Sequence, residues 1–223
     1  MREAYFNLPR DDEHIAIIGR NGSGKTQFAA WMLAERSWPQ RPWIILNFKR
    51  DPLLDAIPRA RSMALDEKLP RQSGIYNIRQ TMTAKEDSAL LDIFFQRVWD
   101  RGRIGLFIDE GYIASGLKWF RACLTQGRSR HVPMMILSQR PVWMDRFVWS
   151  EASYYVAFAL NLKDDRETAG NMIPGYRDIR LPPFHALWHA VKRDQTLGLT
   201  PVPDSADILT RYRARAPFSL RAI

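Results

Sequence analysis

His14-Ile15-Ala16-Ile17-Ile18-Gly19-Arg20-Asn21-Gly22-Ser23-Gly24-Lys25-Thr26 is the stretch that decides the fold. His14 to Ile18 is a short run rich in β-branched apolar residues that ends at a glycine, the pattern of a strand buried on both faces. Gly19 to Thr26 then satisfies G-x-x-x-x-G-K-[ST] at every fixed position. Gly19, Gly22 and Gly24 let the backbone fold tightly, so that N–H groups through Asn21 and Ser23 point inward as an anion nest. The helix that follows adds its N-terminal dipole, which favours the same negative charge. In this pattern Lys25 reaches the β- and γ-phosphates and the Thr26 hydroxyl ligates Mg²⁺. A chance glycine turn is the alternative, and the buried strand before it and apolar helix after it argue against that.

Outward from this loop, apolar strand-like runs alternate with helical ones. Thr26 to Arg36 reads as a helix apolar almost all round, as if sandwiched against a sheet. Pro42 to Phe48 and Gly74 to Ile78 read as strands. Lys85 to Arg101 is an amphipathic helix burying Leu90, Leu91, Phe94, Phe95 and Val98, with Ile93 and Trp99 widening that face. Gly105 to Ile108, Pro133 to Leu137 and Ala152 to Leu160 are further strands, and His185 to Val191 reads as the closing one. Leu117 to Thr125 and Lys163 to Ala169 read as helices, and Asp51 to Gln72 carries no clear period. The alternation predicts an α/β fold with a mainly parallel, doubly covered sheet. From residue 196 the composition turns to Pro, Asp and Arg. The expected organisation is one P-loop domain over 1–195 and a C-terminal tail or docking arm over 196–223.

The chain has 223 residues, 46% hydrophobic and 12% aromatic, enough to build a full core, which excludes global disorder. Lys and Arg number 33 against 24 Asp and Glu, a net charge of +9 that points to a polyanion partner. Arg outnumbers Lys by 26 to 7, so part of that surplus can equally reflect a GC-rich genome. The single cysteine, Cys123, excludes an internal disulfide framework and reads as a small buried hydrophobe rather than a nucleophile. Met1 to Glu13 does not have the pattern of a secretory signal, and no run approaches the ~18 apolar residues of a membrane span. A soluble intracellular protein is expected.

Leu106-Phe107-Ile108-Asp109-Glu110 places two carboxylates at the C-terminal end of a buried strand, the sheet edge where ligands bind. In that position Asp109 holds Mg²⁺ and Glu110 is the base that polarises an attacking water. The adjacent acid favours nucleotide hydrolysis over transfer to a small-molecule acceptor. Met134 to Leu137 is a strand ending in Ser138-Gln139-Arg140-Pro141, where the Gln139 amide can bond both γ-phosphate and water. Gln126-Gly127-Arg128-Ser129-Arg130-His131 reads either as a solvated basic loop or as an arginine finger offered to a neighbouring subunit.

Together these stretches resemble the FtsK–HerA superfamily of DNA-pumping ATPases over roughly Ile15 to Pro141. The resemblance implies a RecA-like, additional-strand, catalytic-glutamate P-loop fold with ATP and Mg²⁺ as cofactors. By family pattern Lys25 and Thr26 match Walker A, Asp109 and Glu110 match Walker B, and Gln139 matches the sensor. Arg128 matches the arginine of the Gly-Arg motif, with Arg130 close enough to compete. Membrane, winged-helix and barrel domains of larger members do not fit in this length. The chain is therefore most similar to the small genome-packaging ATPases of tailless viruses with an internal membrane. That family implies a homo-oligomeric ring, a hexamer, at one capsid vertex, among capsid or membrane-associated viral proteins. It drives double-stranded DNA through its centre in the host cytoplasm and remains in the virion.

Alternatives are a related ATPase of filamentous-phage assembly, secretion or plasmid transfer, and a P-loop nucleotide kinase. Glu110 with Gln139 argues against the kinase, and no Ser-Gly-Gly signature marks an ABC-type ATPase. A packaging motor grips phosphates without reading sequence. Candidate contacts are Lys49, Arg50, Arg59, Arg61, Lys118 and Arg121, each equally readable as solvated surface.

Overall fold

A computed structural model describes residues 8–80 and 85–215. In it one nine-stranded sheet is covered by helices on both faces. The strands are β1 (His14–Ile18), β2 (Pro42–Leu46), β3 (Arg61–Ser62), β4 (Gly74–Ile78), β5 (Gly105–Ile108), β6 (Met134–Ser138), β7 (Ala152–Phe158), β8 (Ala186–Ala190) and β9 (Gln195–Leu199). Their order is β3-β4-β2-β5-β6-β1-β7-β8-β9. From β3 to β7 every pairing is parallel, and β8 and β9 continue as an antiparallel meander. β1, β2, β4, β5 and β6 are buried along their whole length, as strands covered on both faces must be. β6, which Gln139 follows, lies between β1 and β5, the additional-strand arrangement.

On one face α1 (Lys25–Ala34) lies against the sheet, flanked by α2 (Pro52–Asp55). The opposite face carries α3 (Lys85–Arg101), α4 (Lys118–Gln126), α5 (Arg146–Glu151) and α6 (Lys163–Met172). α3 buries Leu91, Phe94, Phe95 and Val98 completely, whereas Ile93 is 51% exposed and does not belong to the buried face. Cys123 is fully buried, and burial pushes its thiol up to about 12, in keeping with a packing role.

The segment from 196 is not an arm as far as it is described. β9 pairs with β8, and α7 (Ser205–Ala214) packs on α1. Asp204 caps α7 by accepting from the Asp207 N–H at 2.9 Å. Ile208 and Tyr212 are buried, and the Tyr212 hydroxyl donates to the Ala30 carbonyl at 2.6 Å. Arg211 and Arg215 pair with Glu35 at the C-terminal end of α1. The physical reason is α1 itself: a helix apolar on all sides needs a second cover besides the sheet. Residues 216–223, the rest of the expected tail, lie outside the described residues.

Candidate nucleotide-hydrolysis site

The phosphate loop joins β1 to α1. Its entry is pinned to neighbouring strand ends: Gly19 N donates to Ser138 O at 3.2 Å and Arg20 N to Ala159 O at 3.0 Å. Gly24 caps α1 at φ 99°, a left-handed conformation that glycine adopts without a Cβ penalty. Lys25 opens the helix and is only 5% exposed. Burial pulls its ammonium below the ordinary lysine range, and the nearby Glu110 and Asp109 carboxylates oppose that shift. The Ser23 hydroxyl is buried with no hydrogen-bond partner.

Asp109 and Glu110 follow β5 and are 2% and 1% exposed. Asp109 N donates to Leu46 O at 3.1 Å, which ties the turn to β2. Burial, then the neighbouring Glu110, raises the Asp109 carboxyl to about 6, while Lys49 and Lys25 act the other way. Glu110 sits at φ 65°, strained for a residue with a side chain, and opens a 3-10 turn over Gly111–Ala114. A side chain at Gly111 is excluded by β6, since a Cβ there would lie 2.2 Å from Ile136 Cγ2.

Gln139 meets Glu110 directly, with Nε2 donating to Oε1 at 3.2 Å. Lys49 Nζ pairs with the same oxygen. Oε2 of Glu110 and Oδ1 of Asp109 are both buried without a partner. Two orphaned carboxylate oxygens beside a phosphate loop suit a divalent cation and a water, because isolated buried acceptors are otherwise costly. Gln139 is held from behind by its own motif. Ser138 Oγ donates to Arg140 O at 2.9 Å and accepts from Arg140 N at 3.2 Å, and Arg140 Nε pairs with buried Asp165 at 3.0 Å.

The structure thus brings Lys25, Asp109, Glu110 and Gln139 to one edge of the sheet, and it leaves Arg128 elsewhere. Arg128 precedes β6, whereas Gln139 follows it, so the strand, roughly 16 Å long at its ordinary rise, separates the two. The Arg128 charge is felt instead at His14, at the start of β1. Arg130 is engaged within the subunit: Nε donates to Trp99 O at 3.0 Å and its guanidinium stacks on the Trp99 ring.

Of the basic residues offered to DNA, Lys49 is drawn onto Glu110 and Arg121 onto Asp145 at 2.7 Å. Arg61 bonds Gln72 and Tyr76, and Lys118 lies over the Trp119 ring. Sequence reasoning missed the contact of Lys49 with Glu110. The two are 61 positions apart and meet because β2 and β5 are neighbours, an order that no local pattern carries.

No protein-family profile matches the chain. It is 35% identical to the DNA packaging ATPase P9 of Enterobacteria phage PRD1, across 93% of this chain and 95% of that protein. In fold it is similar to the genome packaging NTPase B204 of Sulfolobus turreted icosahedral virus 2 solved with AMP. That match has a TM-score of 0.69 at 14% identity, over 87% of this chain and 100% of the other. ATPases 2 and 3 of EssC from Geobacillus thermodenitrificans match with a TM-score of 0.64 at 12% identity. They cover 91% of this chain, which spans 43% of that longer one.

Proposed function

This chain belongs to the family of the PRD1-type DNA-packaging ATPases, and from that premise we propose how its residues turn ATP hydrolysis into the packaging of a viral genome. The reading rests on the meeting of Glu110, Gln139 and Asp109 beside Lys25 at the C-terminal edge of a parallel sheet. The loop from Gly19 through Asn21, Gly22, Ser23 and Gly24 cradles the phosphates, and Lys25 neutralises the β- and γ-oxygens. Thr26 and Asp109 would hold Mg²⁺, which would supply positive charge against the phosphates. Glu110 takes a proton from the attacking water through Oε2, the oxygen left free when Lys49 and Gln139 occupy Oε1. Gln139 couples that carboxylate to the γ-phosphate position.

Arg128 serves a neighbouring subunit. Its place across the sheet from its own phosphate loop supports action in trans, and the anchoring of Arg130 favours Arg128 for that role. Such a finger needs a neighbouring copy at each nucleotide site, an arrangement met by a closed ring, here six copies around double-stranded DNA. Each copy carries a net charge of +9, which favours a polyanion, and phosphate contacts suffice because a packaging motor ignores sequence. The ring works in the infected host cell at a capsid vertex and stays with the virion. Among the described residues no helix is long and apolar enough to cross a membrane.

The test is ATP turnover with and without duplex DNA across a range of salt, in the natural chain and in Lys25→Ala. DNA should stimulate turnover, and Lys25→Ala should abolish it while melting like the natural protein. Turnover indifferent to DNA at every salt concentration would favour the secretion-type ATPases. Retained turnover in Lys25→Ala would remove the phosphate-loop assignment.

A further inference from the structure

Phe184 stands beside the phosphate loop with 43% of its surface exposed. With Asn21, Gly22, Gly24, Lys25 and Thr26 it lines a cavity of about 390 Å³, within the size range of small-molecule sites. Its φ of 60° is left-handed, a conformation that a bulky aromatic adopts only where its surroundings enforce it. Those surroundings are the 200–204 segment: Val202 N donates to Phe184 O at 3.2 Å, and Gln27 Nε2 donates to Pro203 O at 2.6 Å. A Cβ built on Gly24 would lie 2.9 Å from Phe184 Cδ1 and 3.0 Å from Val202 Cγ2. An aromatic edge and a valine methyl are therefore pressed against the loop that cradles phosphate, and neither can bind a phosphate.

Strand order says what they face. In the run β5-β6-β1-β7-β8, Glu110 and Gln139 lie on one flank of the phosphate loop. Phe184, which precedes β8, lies on the other. A nucleotide whose γ-phosphate meets Glu110 and Gln139 directs its nucleoside end away from them. We propose that Phe184, backed by Val202, is the platform on which the nucleobase of the bound nucleotide stacks. The inference rests on the ATPase reading above and assigns the half of that site which the phosphate motifs leave undescribed. Recognition is by the π-face of the base, which an aromatic ring offers without a hydrogen-bond code.

Calorimetric titration with ADP and, separately, with inorganic pyrophosphate tests it in the natural chain, Phe184→Ala and Phe184→Trp. Phe184→Ala should weaken ADP roughly 5- to 150-fold, the range of single-base stacking, and leave pyrophosphate within about twofold. Phe184→Trp should retain ADP binding. Unchanged ADP affinity in Phe184→Ala, or a tryptophan variant as weak as the alanine one, would overturn the platform. Equal losses for ADP and pyrophosphate would also overturn it, leaving Phe184 as a residue that only shapes the loop. A natural chain that binds neither ligand would instead overturn the nucleotide-site reading on which the proposal rests.

Discussion

Replacing Asp109 with asparagine should stabilise the cation-free protein while destroying its hydrolytic activity. Asp109 is 2% exposed, one of its oxygens has no partner, and burial with the adjacent Glu110 lifts its carboxyl from 3.8 to about 6. A rise of about two units, at 1.36 kcal/mol each, corresponds to about 3 kcal/mol of stability missing once Asp109 is ionised. The sign follows from proton occupancy. Between about pH 4 and pH 6 the folded chain holds a proton that the unfolded chain has released, so stability falls as pH rises through that window. Asp109→Asn is neutral throughout, so it should exceed the natural protein by about 3 kcal/mol at pH 8 and match it near pH 4. For a chain of this size the gap at pH 8 is roughly 6–12 °C in melting temperature. His14 acts in the opposite sense: burial lowers it to about 4, so as pH falls from 6.5 the unfolded chain takes up a proton that the folded chain does not, and stability falls. It is present in both proteins and cancels in the difference. Melting curves in EDTA from pH 4 to pH 8 make the comparison. Equal melting at pH 8, or a gap that does not close on acidification, would refute the reasoning.

Arg128→Ala and Glu110→Gln subunits, each inactive alone, should recover turnover when mixed, since a finger in trans is worth roughly 10³–10⁵ in rate. Arg130→Ala should instead lower the melting temperature, because Arg130 anchors to Trp99. No recovery on mixing would place Arg128 in cis or in a structural role. Truncation after residue 203 removes α7 and with it the buried Ile208 and Tyr212, each worth roughly 1.5–3 kcal/mol. The shortened chain should aggregate or melt far earlier, and an unchanged melt would restore the reading of the tail as an arm. Gly111→Ala forces the turn after Glu110 away from Ile136 and should cut kcat at least tenfold while ADP binding holds; full activity would show that the turn tolerates displacement.

The phosphate loop was legible in the sequence because its ligands are consecutive: eight residues, one strand end and one helix start contain the whole device. Asp109-Glu110 and Gln139 were legible for a related reason, each closing an apolar run whose length marks a strand end. Ile93 was misread because a periodic stripe shows which face of a helix is apolar and not how far its neighbour reaches across it. The tail was misread although α1 carried the clue, an apolar surface too wide for a sheet alone to cover.

By itself, then, the sequence determined the α/β class and the places of the three candidate motifs at strand ends, all of which depend on residues within a few positions of one another. Tertiary structure alone decided what depends on strand order and layer packing. It drew Lys49 onto Glu110 through the pairing of β2 with β5, set Arg128 across the sheet from its own loop, and laid α7 over α1. It also brought Phe184 and Val202 against Gly24 from about 160 and 180 residues away. Backbone periodicity acts over one or two turns, whereas the choice of which buried face meets which is made by the core as a whole.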